Sequence, residues 1–317
     1  MTVHNLDGRF PDGDEQARRA LHEALESIPD DDRVVVDGLA MGALPEVVGA
    51  HADRLRLVGL VHHPLADETG LAADTAARLE KLESRALAHA RGVVVTSLFT
   101  AERLGSLGVG RERIRAVRPG TDPAPQATGP TEGEPARLLC VGSFAPRKGQ
   151  DVLVRALALV QDLPWTCTFA GSLDRDPGYA DGVRHEIELL GLRGRVELSG
   201  ELGTEALDEL YATATLFVLP SHYEGYGMAL AEALARGLPV VSTTGGAIPH
   251  TVPEDAGVLV SPGDVDALAE ALRALLDDPH RREQLAVSAR RHASDLPDWA
   301  SQAAAFAAAV RELTARG

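Results

Sequence analysis

Short apolar runs alternate along the chain with longer stretches in which apolar residues recur every three or four positions. Residues 33–38 (RVVVDG), 55–63 (LRLVGLVHH), 93–96 (VVVT) and 114–122 (IRAVRPGTD) read as buried strands. Between them, residues 15–27 form an amphipathic helical pattern, 43–52 (ALPEVVGAHA) a second, 72–90 a long third and 100–107 a short fourth. Residues 1–13 carry no convincing strand pattern. Residues 123–135 (PAPQATGPTEGEP) have no apolar periodicity and are expected to be a linker. A second alternating series follows. Its strands are expected at LLCVGS (138–143), CTFAG (167–171), VELSG (196–200), LFVL (216–219), from Val240 onward, and at GVLVSP (257–262). Its helices are expected from Gly149, over 179–190, 204–212 and 228–236, over 264–276 behind an Asp264 cap, and over the alanine-rich 299–315. Strands and helices alternating at this spacing predict an α/β protein with two Rossmann-like parallel sheets, each covered on both faces. The expected division is a domain at 1–122, the linker at 123–135, a domain at 136–295 and a terminal helix within 296–317.

The chemistry concentrates where these strands end. In 221–242 (SHYEGYGMALAEALARGLPVVS), Glu224, Gly225, Tyr226 and Gly227 form a short loop ahead of a helix that begins at Met228. A glycine loop opening a helix presents backbone N–H groups to an anion. Two carboxylates, Glu224 and Glu232, beside such a loop call for hydroxyl groups as well, so a ligand carrying both phosphate and hydroxyls, a nucleotide sugar, fits. In 142–153 (GSFAPRKGQDVL), a strand ends at Gly142 and Ser143, and Arg147 and Lys148 stand just before a helix opened by Gly149. Positive charge is mildly unfavourable at a helix start, which points to a role. A departing nucleoside diphosphate gathers negative charge that an arginine fork and a lysine point charge can neutralise. His62 and His63 leave the carboxyl end of a strand, where open α/β sheets bind ligands. Adjacent strand residues point opposite ways, so one of the two is expected to line a site, and Glu68 is a candidate acceptor contact. Gly245 and Gly246 are expected to let backbone approach a ligand closely. The D-x-D triplets at 12–14, 174–176 and 264–266 read as loop acids and a helix cap, so no metal site is expected.

The string around Glu224 and Glu232, with its flanking strand and PVVS exit, resembles the E-x7-E signature of retaining glycosyltransferases of family four, which have the GT-B fold. The resemblance runs from about residue 33 to the C-terminus and is most specific over 138–262. It implies two domains facing a central cleft, with the last helix crossing back to the first. It also implies a retaining, metal-independent transfer of a sugar from a UDP-, GDP- or ADP-linked donor to an acceptor hydroxyl, with no further cofactor. By the same resemblance Glu224 holds donor-sugar hydroxyls, Glu232 the ribose, Arg147 and Lys148 the phosphates, and His62 points at the donor sugar. The backbone over 226–228 assists. The chain departs from the family pattern at Ser143, where arginine is usual, and at His250, where glutamate is frequent. It also departs in lacking the usual opening strand, glycine-rich loop and helix. A non-catalytic nucleotide-sugar-binding protein or partner subunit is therefore the alternative, and another GT-B enzyme, such as a sugar-nucleotide epimerase, is a third reading.

Composition narrows this picture. The chain has 317 residues, 44% of them apolar, and a net charge of −16, which suits two ordinary cores. With no basic run, nucleic acid is not expected as a partner. An acidic surface disfavours electrostatic docking on an anionic membrane, so membrane contact is expected only for a lipid acceptor. Cys140 and Cys167 sit inside apolar runs and read as core residues. With no leader-like segment, no long apolar segment and no metal-type Cys/His spacing, the cytosol is the expected location.

Overall fold

The computed structural model describes residues 2–131 and 133–315. The chain divides into two compact units, Met1–Pro119 with Ala300–Gly317, and Gly120–Trp299.

The first unit is built on a parallel sheet of β1 (Arg33–Asp37), β2 (Arg56–Val61), β3 (Gly92–Val95) and β4 (Ile114–Ala116), in that spatial order. Side chains alternate across it. Leu57 joins a core with Leu21 and Leu25, which lie on the helix Glu15–Glu26 that Asp14 caps through the Ala17 N–H. Val58 and Val94 face the other way, onto Ala309, Val310 and Leu313 of the helix Trp299–Ala315. Arg33 Nε fixes that helix by donating to Thr314 Oγ1 at 2.9 Å. The terminal helix is grouped with the first unit from Ala300 onward.

The second unit holds β5 (Ala136–Val141), β6 (Trp165–Ala170), β7 (Val196–Gly200), β8 (Leu216–Leu219), β9 (Val240–Thr243) and β10 (Gly257–Val260). All pair in parallel, in the order β10-β9-β8-β5-β6-β7. β8 and β9 are buried at every position, which is why they read as unbroken apolar runs rather than alternating ones. Cys140 and Cys167 are core residues. Burial pushes the Cys140 thiol up to about 12 and the Cys167 thiol well above its ordinary value.

Three local expectations change. The helix expected over 43–52 starts only at Pro45, because Leu44 leaves the helical region at φ −125° and ψ 51°, as a residue before proline tends to. A short helix Gly38–Met41 precedes it. The segment expected as a linker lies on the second unit: Ala127 N–H donates to Arg236 O and Thr128 N–H to Ala212 O, each at 2.8 Å. Both acceptors are carbonyls at helix ends that lack intrahelical donors. A helix over Pro279–Ala293 was not expected. Its apolar stripe is thin, Ala286 and Ala289 buried and Leu285 partly so, and its clearest signal is the Asp278 cap with proline at the first position.

Candidate functional site

In the second unit the sequence order of strands reverses between β5 and β8: β5 leads to β6 and β7 on one side, while β8, β9 and β10 run to the other. Loops there diverge and open a crevice beyond the carboxyl ends, which is where doubly wound sheets bind ligands. Gly142 and Ser143 follow β5, the 221–227 loop follows β8, and Gly245 and Gly246 follow β9. The topology therefore brings together the segments singled out between 142 and 246.

Glu224 is at the centre of this group and is 5% exposed. Its Oε1 accepts from Lys148 Nζ at 2.6 Å and Ser221 Oγ at 2.7 Å, and its Oε2 from Arg147 Nη1 at 3.3 Å. Burial alone would raise its pKa, but the Lys148 and Arg147 charges outweigh it and hold the carboxyl below the usual range. A carboxylate has about four acceptor positions, so three contacts leave one for a ligand hydroxyl. Arg147 Nη1 also donates to Tyr223 O at 2.8 Å, and His222 N–H to Arg147 O at 2.7 Å. The loop's need for a carboxylate is thus structural as well: Glu224 fixes two cations that would otherwise repel.

Three glycine positions show what these loops demand. A Cβ on Gly149, at φ +67°, would lie 2.3 Å from Pro220 O. One on Gly246, at φ +61°, would lie 2.4 Å from Glu224 O, and one on Gly245 2.2 Å from His222 O. At Gly245 and Gly246 the protein's own 222–224 loop makes a close backbone approach. A parallel bridge between Glu224 and Gly246, with Ala247 N–H donating to Glu224 O at 2.8 Å, locks that approach. Gln150, fully buried, donates from Nε2 to Ser143 O at 3.1 Å and so ties the end of β5 to the helix behind it.

Glu232 lies one turn into the helix Met228–Ala235, whose preceding residue Gly227 is in the left-handed region; Met228 is exposed and Tyr226 buried. Tyr211 OH donates to Glu232 Oε2 at 3.1 Å, and Arg236 stacks over the Tyr211 ring at 4.3 Å. Desolvation raises the Glu232 carboxyl above its usual range, with Tyr211 and Arg236 opposing. Tyr211, itself completely buried, was not singled out from sequence, since an aromatic in a helix reads as core.

The first unit carries the remaining candidates. His62, just past β2, is exposed and its Nε2 lies 3.1 Å from Asp37 Oδ2 at the end of β1. Asp37 Oδ1 accepts from Leu39 N–H at 2.8 Å. Asp37 raises the His62 pKa against desolvation. In return, burial pushes Asp37 up while the His62 and Leu39 hydrogen bonds bring it below its usual value. His63 is turned to Glu68, Nε2 to Oε2 at 3.3 Å. The two histidines thus take different carboxylates, in keeping with their alternation. Asp37 was not singled out from sequence, although an acid closing an apolar strand (VVVD) was its signal. Behind this loop, buried Glu83 accepts from Leu65 N–H at 3.0 Å through Oε2, while its Oε1 has no hydrogen-bond partner among the described residues. Arg103 clamps Asp67 with contacts of 2.8–3.1 Å.

One further cluster has metal-like spacing: His22, Glu26 and His51 offer ligand atoms within 4.8 Å of one another. Arg54 Nε donates to His51 Nδ1 at 3.2 Å, so His51 Nε2 carries the proton and points it at His22 Nδ1, 3.1 Å away. The group is a hydrogen-bonded chain whose buried ring offers a ligand no free lone pair.

Comparison with known proteins gives these sites a context. Residues 126–292 match the family model described as glycosyl transferases group 1. The MMP α-(1→4)-mannosyltransferase of Mycolicibacterium hassiacum is 28% identical over 286 residues, covering 82% of this chain and 66% of that protein. The GDP-mannose-dependent α-(1-6)-phosphatidylinositol monomannoside mannosyltransferase of Mycolicibacterium smegmatis is 30% identical over 234 residues, covering 68% of this chain and 60% of that protein. Across the first curated relatives the chain spans 39–66% of their length. Among solved structures, sucrose-phosphate synthase from Thermosynechococcus elongatus superposes with a TM-score of 0.79 at 25% identity, over 95% of this chain and 78% of that one. That likeness bears out the expected pair of parallel-sheet α/β domains of the GT-B class. Among the described residues no helix is long and apolar enough to cross a membrane.

Proposed function

The chain belongs to the group 1 glycosyl transferases, and from that premise we propose that it moves a sugar from a nucleoside diphosphate donor to an acceptor hydroxyl with retention at the anomeric carbon. The observation that carries this reading is the Arg147–Lys148–Glu224 cluster at the β5/β8 switch point. Two cations held by one buried carboxylate keep a net positive charge, oriented before any ligand arrives. Such preorganised charge stabilises a leaving diphosphate without reorganisation at the moment of reaction. In the proposed step the bond from the anomeric carbon to the phosphate oxygen breaks, and the acceptor oxygen bonds that carbon on the same face. The acceptor proton passes to the departing phosphate. Arg147 and Lys148 neutralise that phosphate, so the step needs no metal ion. Glu224 spends its remaining lone pair on a sugar hydroxyl, Glu232 holds the ribose, and His62 is the first unit's own candidate contact to a sugar hydroxyl. The GDP-mannose dependence of one relative supports a nucleotide-sugar donor and puts GDP-mannose first in a panel with UDP- and ADP-sugars. The proposal places the protein in the cytosol with such donors.

The test is product formation from that panel with and without chelator, followed by NMR of the product's anomeric centre. Arg147→Ala and Lys148→Ala are each expected to lower kcat by roughly a hundred- to a thousandfold, the scale of removing one donor to a developing oxyanion. Unchanged turnover in both variants rejects the assignment. Donor binding without transfer or hydrolysis favours a non-catalytic binding protein.

A further inference from the structure

We propose that Asp37 is a positioning residue for His62: its carboxylate takes the Nε2 proton, fixes the ring tautomer and leaves Nδ1 as the atom that meets a sugar hydroxyl. The inference rests on the reading above only for the identity of that hydroxyl. The tautomer follows from geometry. Asp37 Oδ1 is occupied by Leu39 N–H at 2.8 Å, and Oδ2 lies 3.1 Å from His62 Nε2. An ionised carboxylate only accepts, so Nε2 must donate. Nδ1 of the neutral ring is then an acceptor, and among the described residues it makes no hydrogen bond.

Both partners are fixed from behind. Asp37 ends β1 and caps the helix Gly38–Met41. β1 and β2 pair in register up to Asp37 and Leu60, two residues before His62. Thr96 Oγ1, just past β3, donates to His62 O at 3.1 Å, so the backbone that carries the ring is held by the neighbouring strand end. The charged group facing the ring is Asp37; the adjacent His63 is turned away to Glu68. A half-exposed pair at the carboxyl ends of two adjacent strands is otherwise a weak device for stability, whereas an oriented acceptor nitrogen suits recognition of a neutral polyol. A hydroxyl that donates to Nδ1 gains a fixed, directional acceptor, and its own oxygen stays free to accept elsewhere.

Asp37→Asn is the discriminating variant. Its amide oxygen still accepts from Leu39 N–H, so the helix cap survives, but its NH2 group now faces His62. The ring must then accept at Nε2 and carry its proton on Nδ1, where it can no longer accept from a hydroxyl. In the full chain, the ring-nitrogen NMR resonances of His62 well above its titration midpoint should show Nε2–H in the wild type and Nδ1–H in Asp37→Asn. The midpoint itself should fall in the variant. With the most active donor of the panel, kcat should drop roughly three- to tenfold, the scale of losing one hydrogen bond between neutral groups. In a His62→Ala background the same substitution should change kcat less than twofold. An unchanged ring overturns the positioning of His62 by Asp37, whatever the activity does. A switched ring with unchanged kcat overturns its part in transfer. Absence of transfer in the wild type rejects the function proposed above while the ring resonances still decide the tautomer.

Discussion

Among the described residues two glutamates are buried, one in each unit, and their pKa values shift in opposite directions. Glu224 is 5% exposed and Glu83 1%. Glu224 accepts from a lysine, an arginine and a serine, and its pKa falls below the ordinary carboxylate range. Glu83 accepts one backbone N–H and leaves an oxygen unpartnered among the described residues; burial, with Asp67 and Glu80 nearby, pushes it up to about 7. Burial alone therefore does not set the charge. The donors brought to the carboxylate do. The topology explains the difference: Glu224 stands where loops from β5 and β8 converge at a switch point, whereas β1 to β4 run in simple succession, with no reversal among the described strands.

The comparison breaks most readily at Glu224. Glu224→Gln leaves Arg147 and Lys148 without their shared anion, and we expect a loss of about 3 kcal/mol in stability, the lower end for a broken buried pair because both cations retain some solvent. Chemical denaturation at neutral pH measures it; a loss below about 1 kcal/mol would mean that the cluster is not preorganised.

Glu83 sharpens the other side. Its folded value of about 7 lies above the ordinary 4.5, so the folded chain holds a proton that the unfolded chain has released between those values. Its contribution to stability is intact below about pH 4.5, declines as pH rises and is fully lost above about 7. Glu83→Gln removes this dependence while keeping the acceptor for Leu65. The stability difference, variant minus wild type, should grow by about 3 kcal/mol from pH 4.5 to 8. A difference independent of pH would falsify the assignment.

The smallest effect concerns Glu232. Tyr211→Phe removes the one hydroxyl donor to its carboxylate. We expect donor KM to rise roughly three- to tenfold with kcat nearly unchanged, the scale of one hydrogen bond made equally in ground and transition states. A fall in kcat at constant KM would instead place Tyr211 in the chemical step.

The sheets, most helices and the loops of the second unit were legible in the sequence because buried parallel strands read as apolar runs and helices as periodic stripes. Pro279–Ala293 escaped because its fully buried contacts are alanines, with Leu285 only partly buried beside them. The site was legible as residue types but not as partnerships. Glu224 and Arg147 stand 77 positions apart in sequence, and nothing local says that one neutralises the other. Asp37 and His62 are separated by 25 positions and meet only through the register of β1 on β2. Gly245 and Gly246 signalled close approach to a ligand, and nothing local in the sequence says that the 222–224 backbone packs against them.

The central claim is that Arg147 and Lys148, held by Glu224, form the diphosphate site. Calorimetric titration of the full chain with GDP and UDP, wild type against the Arg147→Ala/Lys148→Ala double variant, tests it most directly. The account predicts saturable binding of at least one diphosphate by the wild type and a loss of at least a hundredfold in the folded double variant. Equal affinity in the two proteins would contradict it.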